Sequence, residues 1–194
     1  MKFSDLNING VYTYADYLTW TFNERVELIK GKLFNMSPAP NLNHQKVSRE
    51  FSYHFVDFMK GHPCQAFTAP FDVRLTKRDN SNDKQITTVV QPDICVVYDE
   101  GKLDQKGCLG APDLVVEILS PHTTKRDLTV KYKLYEENAV NEYWVASPDA
   151  KTLIIYTLND KGKYESSRLF TMGDVVVSKV LKGFKLQLDD VFNF

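Results

Sequence analysis

Apolar positions along the chain change their period several times, and each change predicts an element. Thr13 reads as a cap ahead of a short helix, Tyr14 to Trp20. "RVELIKGKLFNM" reads as a hairpin turning at Lys30-Gly31, and "SPAPNLNH" as a Pro/Asn-rich loop. From about Leu42 to Lys60, Val47, Phe51, Phe55, Phe58 and Met59 recur at helical steps. "FTAPFDVRLT" reads as a strand, and "KRDNSNDKQ" as a polar loop, solvent-exposed and mobile. Two strands follow, Val89 to Tyr98 and Asp113 to Leu119, then a helix over roughly Arg126 to Asn138. The remainder reads as a strand meander, "NEYWVAS", "KTLIIYTL", "KYESSRLF" and "VVVSKVLKGFKL", with turns at "SPDA" and "NDKG". No repeat, low-complexity tract or linker interrupts the pattern. It predicts a single α/β (α+β) domain over residues 1–194, built on a mixed sheet.

Composition narrows the function classes. With 43% hydrophobic residues in a chain of 194, a sizeable core is expected. A net charge of −1 gives no global basic field, so any grip on nucleic acid must come from a local patch. The opening "MKFSDLNING" lacks the apolar run of a signal peptide, and no stretch approaches the ~20 apolar residues of a membrane span. Cys64, Cys95 and Cys108 are odd in number and never spaced CxxC, which suggests neither a disulfide framework nor a zinc site. The expectation is a soluble, cytoplasmic protein with no membrane partner.

One residue conflicts with its surroundings. Glu117 stands among Val115, Val116, Ile118 and Leu119, in a strand that reads as buried. Burying an unpaired charge costs several kcal/mol or more. A hairpin centred on Gln105 puts Asp93 opposite Glu117, on the same face, with Cβ atoms about 5 Å apart. Two carboxylates ~4 Å apart repel by about 4 kcal/mol at an effective dielectric of about 20. A shared proton, a lysine or arginine, or a divalent cation would offset that. Mg²⁺ takes carboxylate oxygens at about 2.1 Å and keeps waters for chemistry. The alternative is a buried ion pair, or a shifted register that separates the two acids. Asp113 lies on Glu117's face but roughly 13 Å along the strand, and reads as a strand-entry residue after Pro112.

On the following helix, at about 100° per residue, Lys131 lies about 60° from Leu128 and about 40° from Tyr135. Both of those read as core-facing. Lys131 then either leans over the sheet, to orient a water or stabilise charge on a phosphate, or forms a surface i,i+4 pair with Asp127. Lys125, Arg126, Lys131 and Lys133 make the segment locally basic, as a phosphate-backbone contact or a solvated face.

The segments "ELIKGKLFNMSPAP...HQKV", "APFDVRL", "QPDICVV", "GAPDLVVEILSPHT", "D...K...Y" and "EYWVASP" occur in that order. Together they resemble the Uma-two family of restriction endonucleases, within the PD-(D/E)XK nuclease superfamily, from about Glu27 onward. The resemblance implies a restriction-endonuclease-like mixed sheet flanked by helices, with additional β-hairpins and a metal site on a central hairpin. It implies that Asp93 and Glu117 bind the metal and that the backbone carbonyl of Ile118 adds a ligand. Where the superfamily pattern has its lysine this chain has Leu119, and Lys131 resembles a relocated lysine. Glu27 and His44 fall in family-like motifs. Glu27 is a third acidic ligand or orients a water, or else is a hairpin residue facing solvent. His44 contacts a phosphate or stands behind the metal's ligands, or else has a capping or surface role. Gln45 contacts the same site, and Asp127 positions Lys131. His54, His62 and His122 fit no metal spacing and read as structural.

The leading expectation is a Mg²⁺-dependent endonuclease (Mn²⁺ substituting) that hydrolyses phosphodiester bonds of nucleic acid, DNA first. Its alternative is an inactive nuclease fold that binds nucleic acid or serves as a scaffold. A metal-free acid/base hydrolase, such as a glycosidase using the two carboxylates, ranks below both. No P-loop or dinucleotide glycine pattern is present. The loop Lys77 to Gln85 either touches substrate or is disordered, and apolar residues in the C-terminal meander suggest a homodimer by analogy with other nucleases.

Overall fold

The computed structural model describes residues 3, 6–36, 40–76, 82–121 and 123–194. The first helix, α1 (Tyr14–Tyr17), opens with a reciprocal cap: Thr13 N–H donates to Asp16 Oδ2 at 2.8 Å, and Asp16 N–H to Thr13 Oγ1 at 3.4 Å. It ends before the expected Trp20, where the bonding tightens to i→i+3: the Thr19 N–H donates to the Asp16 carbonyl at 2.9 Å and the Trp20 N–H to the Tyr17 carbonyl at 3.2 Å. Strands β1 (Val26–Ile29) and β2 (Lys32–Asn35) form the expected hairpin. Its turn residues Lys30 and Gly31 have φ of 51° and 79°, the left-handed pair that a two-residue hairpin loop requires. Helix α2 (Leu42–Phe58) is capped by Asn41, whose Oδ1 accepts the His44 N–H at 2.9 Å.

Two predicted strands are each broken in two. The first becomes β3 (Gln65–Thr68) and β4 (Val73–Arg74), and the second becomes β5 (Val89–Val90) and β6 (Ile94–Val97). Pro70 and Pro92 stand at the breaks, and a proline has no N–H for a ladder. In each case the two halves enter different sheets. The segment expected as a loop between the central strands contains a hairpin, β7 (Leu103–Asp104) and β8 (Gly107–Leu109). After β9 (Leu114–Ile118) the helical segment comprises α3 (Thr124–Arg126), a π-helical turn Asp127–Lys131 and α4 (Tyr132–Glu137).

Strands β10 (Glu142–Ser147), β11 (Thr152–Leu158), β12 (Tyr164–Ser166) and β13 (Phe170–Thr171) follow. The last predicted strand is instead a separate antiparallel pair, β14 (Val175–Val177) and β15 (Lys185–Gln187). Leu181 and Phe184 are buried between them, and the short helix α5 (Leu188–Phe192) continues into the core. Residues 77–81 of the predicted polar loop, and His122, lie outside the described residues.

One sheet runs β12-β11-β10-β9-β6-β3, with β13 added on β11. A second runs β2-β1-β5-β4-β8-β7. Both are mixed: β9 pairs parallel with β10, and β4 parallel with β8. This is the expected α/β (α+β) class. The period-2 alternation of the central strands sorts the core. Ile94, Val96, Leu114, Val116, Trp144 and Ala146 face α2 and α5. Cys95, Val97, Val115, Tyr143 and Val145 face α4 and the second sheet. On the first side Phe51 and Phe55 are fully buried, each worth roughly 1.5–3 kcal/mol. Glu117 shares the parity of Val115, so it points to the second side, between the sheet and α4.

Candidate functional site

Strands β6 and β9 pair antiparallel with Ile94 opposite Val116 and Cys95 opposite Val115. Extended by one step, that register sets Asp93 opposite Glu117, the arrangement expected from a hairpin centred on Gln105. Both carboxylates line one cavity of about 300 Å³, together with His44, Asp127 and Lys131.

Glu117 is buried, and its Oε1 accepts from Lys131 Nζ and Tyr135 Oη, each at 2.7 Å. Lys131 is 2% exposed, which overturns the surface-pair reading. Its Nζ also lies 2.9 Å from Glu27 Oε1 and 3.9 Å from Asp127 Oδ1. Leu128, expected to face the core, is 41% exposed. The buried stripe is Asp127, Lys131, Leu134 and Tyr135, and its N-terminal half is charged. Apolar spacing alone therefore placed the face too far round. The π turn, with its i→i+5 bonding, delivers Asp127 and Lys131 to the cavity together.

Glu27 is wholly buried within β1, so it is not a solvent-facing hairpin residue. Its Oε1 also accepts the Gln91 N–H at 3.1 Å. Asp93 Oδ2 accepts the Ile118 N–H at 2.8 Å and lies 3.2 Å from His44 Nε2. His44 is buried on Asp93, which overturns its surface reading, and the capping interaction uses its backbone N–H rather than its ring. Ile118 lines the cavity beside these acids. The next helical position, Gln45, is exposed and is not part of the cavity lining, so the structure does not bring it to the site. Asp113 sits apart, as expected, accepting the Tyr98 N–H at 2.8 Å. His54 lies 4.0 Å from Asp190, and His62 stacks on Phe58 at 4.9 Å, both away from the cavity.

Four further residues belong here that sequence reasoning did not assign to the site. Tyr135 read as core-facing and as the last letter of the family-like D...K...Y motif, without a role, and its hydroxyl is what the strand acid needs. Gln91, Arg25 and Arg126 line the cavity. Gln91 immediately precedes Pro92-Asp93, and Arg25 is two residues from Glu27, so adjacency to site residues was the available signal.

Charge is out of balance. Glu27, Asp93, Glu117 and Asp127 outnumber the three fixed cations of the site, Lys131, Arg126 and Arg25, and of these Lys131 and Arg126 are the ones within 4.0 Å of a site acid. Burial pushes the Glu117 carboxyl up; Lys131 opposes this, and Asp127, Asp93 and Glu27 reinforce it. Burial likewise raises Asp127, again against Lys131. Burial also works against the Lys131 ammonium, but Glu117, Glu27 and Asp127 outweigh it and lift its pKa. One lysine is thus shared among three acids, and burial outweighs it at Glu117 and Asp127. Glu27 Oε2, Asp127 Oδ1, His44 Nδ1 and Arg126 Nε are buried with no hydrogen-bond partner among the described residues.

Among the described residues no group of three or more His, Cys, Asp or Glu is arranged to hold a metal. The two-acid set of Asp93 and Glu117, with the Ile118 carbonyl, does fit a hard divalent cation by chemistry. Its donors are all oxygens, and the surplus negative charge is what such an ion offsets. No helix among the described residues is long and apolar enough to cross a membrane.

Against known proteins, 152 residues are 26% identical to the uncharacterized protein slr1290 of Synechocystis sp., covering 77% of this chain and 75% of that one. In three dimensions the chain is similar to a crystal structure from Anabaena variabilis described as a putative nuclease belonging to DUF820. The TM-score is 0.74 at 21% identity, over 94% of this chain and 98% of that one. That likeness shows a shared fold. Residues 14–189 match the family model of Uma2, described as "Putative restriction endonuclease", so the match begins upstream of Glu27 and takes in α1. The chain belongs to the Uma2 family.

Proposed function

We propose that the chain is a divalent-metal-dependent endonuclease that cleaves phosphodiester bonds of nucleic acid, with DNA as the first substrate to test. The observation that carries this reading is the cross-strand pair, Asp93 and Glu117, lining one cavity with Lys131. Asp93, Glu117 and the Ile118 carbonyl would hold Mg²⁺ or Mn²⁺. Bound there, the ion supplies Lewis acidity toward a phosphate oxygen and a more acidic water.

The protein's own groups do the positioning. The Ile118 N–H and His44 fix Asp93 Oδ2, so the Asp93 carboxylate has a set orientation. Tyr135 and Lys131 fix Glu117 through Oε1. Lys131 lines the cavity and carries a permanent charge, which favours the negative charge that builds on phosphate oxygens. Glu27 and Asp127 hold Lys131 in place. Pairing of two copies through the C-terminal hairpin, where Val175 and Val177 are exposed, belongs to the same proposal, and sedimentation over a range of concentrations tests it.

A second reading is a nuclease fold that binds nucleic acid without cleaving it. Lys131, already shared by Glu117 and Glu27, favours it. Incubation of the chain and its Glu117→Ala form with single- and double-stranded DNA and RNA, with and without Mg²⁺ or Mn²⁺, separates the two. Metal-dependent cleavage that vanishes in Glu117→Ala is the expected result. Equal cleavage by both forms would remove the mechanism.

A further inference from the structure

Two cations at the cavity have no role in the chemistry above. Arg25, one residue ahead of β1, and Arg126, the last residue of α3, both line it. Arg25 donates through Nε at 3.2 Å and Nη2 at 2.7 Å to Gln91 Oε1. That partner is a neutral amide, and among the described residues no carboxylate pairs with Arg25. A guanidinium held this way is fixed in direction yet keeps its full charge. Gln91 is itself fixed, because its Nε2 donates to Tyr17 Oη at 3.2 Å and Asp72 Oδ1 at 2.8 Å. With the amide nitrogen so engaged, its oxygen is the end presented to Arg25.

Arg126 shows the same economy of charge. Its Nη1 donates to the Asn35 carbonyl at 3.1 Å, its nearest acid oxygen is Glu27 Oε2 at 3.9 Å, and its Nε is buried without a partner. Lys131 is balanced by acids on three sides, whereas the two arginines are held mostly by neutral oxygens. Donors left open on guanidinium groups with at most one distant acid, Glu27 at 3.9 Å from Arg126, match an anion with several acceptor oxygens.

We propose that Arg25 and Arg126 form a clamp for a backbone phosphate of the nucleic acid, with Gln91 as the positioning residue that holds Arg25 toward it. The proposal rests on the reading of the chain as a nucleic-acid enzyme and names how that site takes hold of its substrate. The clamp contacts phosphate alone, so it adds affinity without base preference.

Fluorescence anisotropy with a labelled DNA oligonucleotide tests it, with Ca²⁺ replacing Mg²⁺ and KCl varied. Arg25→Ala is expected to weaken binding several-fold and to lower the slope of log affinity against log salt by about one. Arg25→Lys keeps the slope and loses part of the affinity. Gln91→Met weakens binding when Arg25 is present and adds nothing to Arg25→Ala, a coupling that general structural damage would not produce. Arg25 is exposed, so the fold is expected to survive; if melting shows otherwise for Arg25→Ala, Arg25→Gln carries the measurement. Unchanged affinity and slope in a folded variant that still cleaves with Mg²⁺ would overturn the clamp and leave the nuclease reading intact. Arg25-sensitive binding without any cleavage would keep the clamp and remove the hydrolysis. Absence of both binding and cleavage, with DNA and RNA alike, would remove both.

Discussion

Lys131 Nζ lies 2.7 Å from Glu117 Oε1, and neither side chain is more than 5% exposed. A helix and a core strand are thus joined by a charge pair out of water. Removing one member of such a pair leaves the other buried and unpaired, which typically costs about 3–5 kcal/mol. Here Glu117 and Glu27 would both lose the ammonium they share.

Lys131→Met is therefore expected to lower unfolding stability by about 3–5 kcal/mol at neutral pH. Against a usual total of roughly 5–15 kcal/mol, that is a large share. Urea titration measures it. A loss under about 1 kcal/mol, the range of exposed pairs, would contradict the buried arrangement.

The pH response follows from the acids. Glu117 and Asp127 have folded pKa values raised, first by burial. An acid with a raised folded pKa binds more protons folded than unfolded, so stability falls as pH rises above the ordinary carboxylate range. Lys131, whose folded pKa is also raised, keeps its full contribution across this window and loses it only above the ordinary lysine range. Metal-free protein is expected to melt lower at pH 8 than at pH 5, and Glu117→Gln should shrink that difference. A pH response identical in the two forms would count against the surplus of buried acid.

Neighbouring positions on α2 provide a control. His44 is buried against Asp93, and Gln45 beside it is exposed. Groups that orient a metal-bound carboxylate typically contribute about 10–100-fold to affinity or activity. His44→Ala should lower cleavage by that factor, and Gln45→Ala should leave it unchanged. Equal losses in both would remove the distinction between the two faces of the helix.

Much of the scaffold was legible because it follows from local patterns. Thr13 and Asp16 make the cap, Lys30-Gly31 makes the turn, and the hairpin centre at Gln105 sets Asp93 opposite Glu117 even though β7 and β8 fold within the connection. The breaks at Pro70 and Pro92 were visible as prolines but were read through as continuous strands. The inward placement of Lys131 and Glu27 was legible only as one of two alternatives each, and the burial of Asp127 was not legible. Charged residues on a helix or hairpin ordinarily face water, and only the packing of β1, β9 and the π turn around one another makes a polar interior. Tyr135 stood in the D...K...Y motif, but its ring fits the apolar stripe, so the role of its hydroxyl was not legible. Arg25 and Gln91 matter through a tertiary hydrogen bond between distant segments, which no local spacing encodes.

The central claim is that Asp93 and Glu117 jointly hold one divalent cation. Calorimetric titration with Mn²⁺ measures this without reference to turnover. One ion per chain is expected for the unaltered protein, with binding weakened at least tenfold in both Asp93→Asn and Glu117→Gln. Undiminished Mn²⁺ binding in both variants would contradict the claim, and with it the reading of the cavity as the seat of phosphodiester hydrolysis.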